Sequence, residues 1–250
     1  ALRHNDLDKA EKEYTVALRA AERLEDQVPG GNCASRLGQV AFRREQWKQA
    51  LVWFDFAMKH YAESKSGVVA RRSAVSGLAM TLCKLKNYDQ AEFCAKQLIE
   101  DSRWIRTKDG SEMREGLIEL ADIYRQSGQL EKATAPMEEI YASCRQYHPI
   151  TWPETTLNMC YLSTHYWSLN KKEQCRKTVN EYLAEALKSK PENLQLPARL
   201  LDDYAEALIK AKEFDKAAIY LPSALKMLDR APDAQKEKER CRQLMDKTRA

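Results

Sequence analysis

The sequence predicts an all-α array of repeated helix pairs. Three observations carry that expectation: a period close to 42 residues, a scarcity of chain breakers, and two apolar helical stripes recurring around each repeat. Eight Gly and eight Pro in 250 residues are about half of ordinary usage, so tight turns are few and uninterrupted segments are long. An all-β sandwich needs many more turns and is excluded. Hydrophobic residues at 44% and charged residues at 31% supply material for a core and rule out a disordered chain.

The period comes from six related five-residue segments: DLDKA (Asp6 to Ala10), QWKQA (Gln46 to Ala50), NYDQA (Asn87 to Ala91), QLEKA (Gln129 to Ala133), KKEQC (Lys171 to Cys175) and EFDKA (Glu213 to Ala217). Their last residues, the anchors, are spaced by 40, 41, 42, 42 and 42, and a fixed period of this size marks a repeat architecture. Twelve residues before an anchor stand the small residues Gly38, Ala79, Ala121, Ser163 and Ala205, as close helix approach requires. One residue earlier come Leu37, Leu78, Leu120, Leu162 and Tyr204, and three before those Ala34, Val75, Leu117, Met159 and Leu201. That is the i, i+3, i+4 stripe of a first helix. Four residues after the anchors stand Tyr14, Phe54, Ala95, Met137, Val179 and Leu221, and eight after them Leu18, Met58, Ile99, Tyr141, Leu183 and Leu225, the stripe of a second helix.

A repeat of two antiparallel helices, small at the centre of the first and opening the second with alanine, resembles the tetratricopeptide repeat (TPR). The usual TPR length is about 34 residues, and the longer period here resembles that of kinesin light chains. His148-Pro149-Ile150-Thr151, followed by Leu157-Asn158, also resembles the linker and helix start of that subclass. The resemblance implies a right-handed superhelical solenoid of antiparallel helix pairs. Residues 1–250 divide as a single TPR-like solenoid: a partial repeat at 1–28, repeats at 29–66, 67–107, 108–150, 151–191 and 192–232, and a C-terminal capping helix at 233–250. Gly30-Gly31 reads as a turn plus cap, Pro29, Pro149, Pro153, Pro191 and Pro232 as residues between helices, and Pro136, Pro197 and Pro222 as residues near helix starts or within the second turn, with Pro136 and Pro222 expected to bend their helices slightly.

Composition narrows the function classes. A formal charge of +4, from 41 Lys plus Arg against 37 Asp plus Glu, does not define a polyanion binder. The basic pairs Arg43-Arg44, Arg71-Arg72 and Lys171-Lys172 do not follow the period and read as solvated helix faces, which disfavours nucleic acid. No H-E-x-x-H, nucleophile elbow or phosphate loop is present, and the four His fall in different repeats, so neither an enzyme nor a cofactor or metal is expected. Cys160 and His165 are five residues apart, off the i, i+4 alignment of a shared metal. Seven cysteines without a C-x-x-C pair read as buried thiols in a reducing compartment. With apolar runs too short for a membrane span, the expectation is a cytoplasmic protein without membrane insertion.

The resemblance also implies where a partner binds. First helices line the concave wall of a TPR array, with inward positions 18, 15, 11, 8 and 7 residues before each anchor. These include Asn32, Gln39, Phe42 and Arg43, then Met80 and Lys84, then Asp122 and Arg125, then Thr164 and Trp167, then Glu206 and Lys210. The Lys and Asn clamp with which some TPR proteins hold a C-terminal carboxylate is absent: Gln39, Met80, Asp122, Thr164 and Glu206 stand where its Asn would be. The expectation is a non-enzymatic scaffold holding a peptide or helix of a partner protein, with no small-molecule substrate. The alternatives are a structural subunit of a stable assembly and, less favoured, a helical-repeat nucleic-acid binder.

Overall fold

A computed structural model describes residues 4–62, 67–105 and 110–249 of the protein. The described residues contain twelve α-helices, one 3₁₀ turn and no strand. In order these are α1 (His4–Arg23), α2 (Gln27–Arg43), α3 (Trp47–Ala62), α4 (Gly67–Lys84), α5 (Tyr88–Ile105), α6 (Ser111–Gln126) and α7 (Leu130–Tyr147), then α8 (Pro153–Ser168), α9 (Lys172–Ala186), the 3₁₀ turn Pro191–Asn193, α10 (Gln195–Lys210), α11 (Phe214–Arg230) and α12 (Gln235–Lys247). The anchors Ala50, Ala91, Ala133, Cys175 and Ala217 are all fully buried.

One turn geometry joins first to second helix in every pair. The residue five before each anchor, Glu45, Lys86, Gly128, Asn170 or Lys212, lies in the left-handed region with φ between 59 and 78°. The next amide (Gln46, Asn87, Gln129, Lys171, Glu213) donates to the carbonyl five residues back (Ala41, Leu82, Tyr124, Tyr166, Leu208) at 2.8–3.0 Å. This is a Schellman closure, which satisfies orphan carbonyls at a helix C-terminus. Only Gly128 adopts the conformation without a Cβ penalty.

The chain forms two compact units, residues 1–133 and 134–250, with the boundary inside α7. In the first unit, α2 packs on α3, α4 on α5, and the first helices follow one another as α2, α4 and α6. Its core is closed by aromatic rings against glycine backbone. Phe54 of α3 lies against Gly38 and Gly77, where an added Cβ would meet the ring at 2.8 and 2.2 Å, and Tyr61 lies against Gly31, where it would meet one at 2.6 Å. Gly30 and Gly31 are therefore interior residues of α2, and Pro29 is in that helix's first turn. The missing side chains serve close packing rather than a turn.

In the second unit, α8 packs on α9, α10 on α11, α8 on α10, α9 on α11, and α12 on both α10 and α11. Here tyrosine hydroxyls close the core. Tyr182 is hydrogen-bonded to Thr156 at 2.7 Å, while Tyr220 is bonded to Ser163 at 2.8 Å and Thr164 at 2.9 Å. Burial pushes Tyr182, Tyr204 and Tyr220 up, Tyr204 to about 12 and the other two further. Pro153 opens α8, where its missing N–H is harmless. Pro222 lies deep inside α11, further in than its sequence position suggests.

Arg71 and Arg72 are engaged in the fold rather than on a solvated face. Arg71 holds the buried Asp101 through two guanidinium nitrogens, and Arg72, itself buried, donates to the Leu98 carbonyl at 2.8 Å, the Glu112 carbonyl at 2.7 Å and the Glu115 carboxylate at 2.9 Å. They tie α4 to α5 and α6.

Candidate functional site

In the first unit the open stripe of α2, α4 and α6 runs at 18, 14, 11 and 7 residues before the anchor, one face of a helix at i, i+4, i+7 and i+11, interrupted on α4 where minus 14 is the buried Gly77. On α2 it carries Asn32, Arg36, Gln39 and Arg43; on α4, Ser73, Met80 and Lys84; on α6, Glu115, Glu119, Asp122 and Gln126. Met80 is 37% exposed and Ile118, beside this stripe, is 44% exposed. The row at offset minus 15 turns toward neighbouring helices instead: Ser35, Ser76, Cys160 and Asp202 are buried and only Ile118 is open. Gln39 donates to Ser73 at 3.0 Å and Ser76 to the Glu119 carboxyl at 2.9 Å, joining adjacent first helices.

The charge on this face changes sign across the three helices. Arg36 and Arg43 stand on α2 and Lys84 on α4, whereas Glu115, Glu119 and Asp122 stand on α6, with Arg125 paired to Asp122 at 3.2 Å. Burial pushes the Glu119 carboxyl up to about 7; Asp122 and Glu115 push the same way, against the hydrogen bond from Ser76. The acidic edge therefore gains charge as pH rises through neutrality.

Several expected contact residues are engaged internally. Phe42 is half-buried edge-on to Trp47, with ring centroids 4.9 Å apart. In the second unit, the Thr164 hydroxyl is bonded to Tyr204 at 2.8 Å as well as to Tyr220. Glu206 pairs with Arg240 at 2.7 Å and Lys210 at 3.0 Å. Trp167 lies under the Lys172 ammonium, 4.8 Å from its ring centroid, and lines a cavity on the second helices α9 and α11. Of the expected residues, Asn32, Gln39, Arg43, Met80, Lys84, Asp122 and Arg125 share the open face of the first unit.

Offset minus 14 was missed by the sequence reading: Arg36, Glu119, Tyr161 and Asp203 are at least partly open there. Tyr161 is half-exposed, edge-on to Tyr204 at 6.0 Å. The missing signal was helical spacing, since minus 14 completes the i, i+4 step from minus 18. Among the described residues no group of three or more His, Cys, Asp or Glu is arranged to hold a metal, and no helix is long and apolar enough to cross a membrane. His165 is buried and hydrogen-bonded to Thr134 at 3.0 Å.

Paired helices, small residues at each crossing and a repeated Schellman turn define a tetratricopeptide-type helical repeat, in the long-period form. Solved structures agree on this fold. BtubC (BKLC) from P. vanneervenii superposes with a TM-score of 0.62 at 14% identity, over 96% of this chain and 92% of that one. A Rap protein complexed with competence and sporulation factor gives 0.55 at 12% identity, over 98% and 71%. A putative kinesin light chain of P. anserina with nearly identical TPR-like repeats gives 0.51 at 14% identity, over 86% and 92%. No protein-family model matches the sequence, and no curated protein matches it.

Proposed function

We propose that the protein is a non-catalytic scaffold whose first-helix face in residues 1–133 holds a linear segment of a partner protein. The observation that carries this reading is the open stripe of α2, α4 and α6, where Met80 and Ile118 are exposed between a basic edge and an acidic one. An extended peptide or an amphipathic helix fits such a face: an apolar side chain on Met80 and Ile118, acidic residues toward Arg36 and Arg43, basic ones toward Glu115 and Asp122. The Rap structure captured with competence and sporulation factor supports the reading, because its fold is similar. Buried thiols held protonated, among them Cys175 pushed up to about 11, suit the reducing cytoplasm that the reading assumes.

A second reading rests on the opposite face of the same unit. Val52 on α3 and Phe93 on α5 are 65% and 69% exposed, and Trp53 and Phe56 beside Val52 are only half-buried. Large apolar residues left open on second helices suit a subunit of a stable assembly. Photo-crosslinking separates the two. With a benzophenone amino acid at Met80 or at Val52, ultraviolet irradiation in native lysate should link a protein through position 80. Linkage through position 52 alone makes the assembly reading the correct one.

A further inference from the structure

The second unit carries a separate feature on its second helices. Between α9 and α11 runs a groove of about 530 Å³, within the range of ligand-binding clefts, floored by Val179, Leu183, Ile219 and Pro222. A smaller cavity of about 280 Å³ continues it past Trp167 and Asp215, which border both. The walls are basic: Lys172, Arg176 and Lys226 face one acid, Asp215. Some exposed cations of this unit are matched, as Arg145 is with Glu185 and Arg240 with Asp203 and Glu206. Among the described residues Arg176 and Lys226 have no carboxylate within ion-pair distance, and Lys172 lies on the Trp167 ring.

Pro222 adds a second element. It has no N–H, so the carbonyl of Ala218, four residues before it, lacks its helical donor. Ala218 and Pro222 both line the groove. Pro222 thus adds its apolar ring to the floor of the groove.

We propose that this groove is a second docking site, taking an extended acidic segment of a partner protein with an aliphatic or aromatic residue between two carboxylates. The lining residues of α9 run from Lys172 to Leu183 and those of α11 from Asp215 to Lys226, eleven steps each, or about 16 Å at 1.5 Å per residue. That length matches about five extended residues at ~3.3 Å each. Lys172 and Arg176 lie near one end and Lys226 near the other, so the two carboxylates stand about four residues apart. The apolar side chain between them rests on Val179, Ile219 and Pro222.

A phage-displayed library of random octapeptides tests this, selected on the wild-type protein and counter-selected on the Arg176→Glu, Lys226→Glu double variant. Both residues are exposed, and circular dichroism melting of the variant should match wild type. Enriched peptides should carry two acidic residues about four apart around an apolar one. As fluorescein-labelled synthetic peptides they should bind the double variant at least ten-fold more weakly, and bind wild type more weakly as salt rises. Enrichment of neutral or basic sequences, or failure of any clone to distinguish the two proteins, overturns the proposal. So does a labelled oligothymidylate that binds wild type and is lost in the variant, which would assign the groove to nucleic acid. Crosslinking through Met80 is a separate readout, so either site can fail without the other.

Discussion

The two units build the same helix pair with different chemistry. In the first, Phe54 presses on two glycines and the joint is closed by shape. In the second, the position of Gly38 is taken by Ser163, whose hydroxyl donates to the Met159 carbonyl and is bonded to Tyr220. The links between successive first helices are hydrogen bonds in both units and differ in the partner, Ser76 with the Glu119 carboxyl in the first and Thr164 with the Tyr204 hydroxyl in the second. The repeat therefore fixes residue volume at a crossing and leaves polarity free. The first unit is sensitive to added volume and the second to lost hydrogen bonds.

Gly77→Ala should be the most damaging of four tests, because its Cβ would meet the Phe54 ring at 2.2 Å. A loss at the upper end of the ~1 to 3 kcal/mol typical of overpacking is expected in chemical denaturation, with partial recovery when Phe54→Leu is added. An unchanged midpoint would break the contrast outright.

Glu119→Gln comes next and tests the carboxyl link. Folded Glu119 keeps its proton up to about 7 against an ordinary value of 4.5, so between those pH values the folded state binds more protons than the unfolded one. Its contribution is full below about 4.5 and is lost as pH rises through about 7. The variant should melt a few °C higher than wild type at pH 8 and about equally at pH 4.5. Melting curves that stay parallel from pH 5 to pH 8 would show that Glu119 titrates normally.

Tyr220→Phe removes one hydroxyl from a site where Ser163 and Thr164 keep other partners, so about 1 kcal/mol should be lost. A neutral result would mean that the second unit is also held by shape alone. The smallest effect sharpens what the units share. Lys86→Gly and Lys212→Gly each relieve a left-handed residue at φ 61°, and both should gain about 0.5 to 1 kcal/mol, since relief of the Cβ clash outweighs the entropy of glycine. Unequal gains would show that the two turns are strained differently.

The pairing of helices was legible because period, anchor and stripe all report one geometry. The turn conformation was not, since Glu45, Lys86, Asn170 and Lys212 do not announce a positive φ and only Gly128 does. Gly30-Gly31 was misread because glycine serves turns and close contacts equally, and only the position of Tyr61, thirty residues on, decides between them. The open face was legible to within one helical position. Offsets minus 15 and minus 14 differ by 100° around the helix, enough on α2 to exchange buried Ser35 for exposed Arg36. Trp167 and Phe42 were ambiguous because a large ring at a helix end can turn to either side, and the residues five further on, Lys172 and Trp47 across the turn, settle it.

The constancy of the within-pair turn has a consequence for tolerated changes in length. Each such turn is three residues, 44–46, 85–87, 127–129, 169–171 and 211–213, with both closing hydrogen bonds drawn from the same positions. An inserted residue would break the closure and rotate the second helix away from its anchor. The connectors between pairs vary: 24–26 has three residues and the same closure, 148–152 has five, and 187–194 has eight with a 3₁₀ turn inside. Drift of the period from 40 to 42 belongs outside the pairs, and grafted loops, tags or reporter domains belong at the longer connectors, where register is reset rather than transmitted.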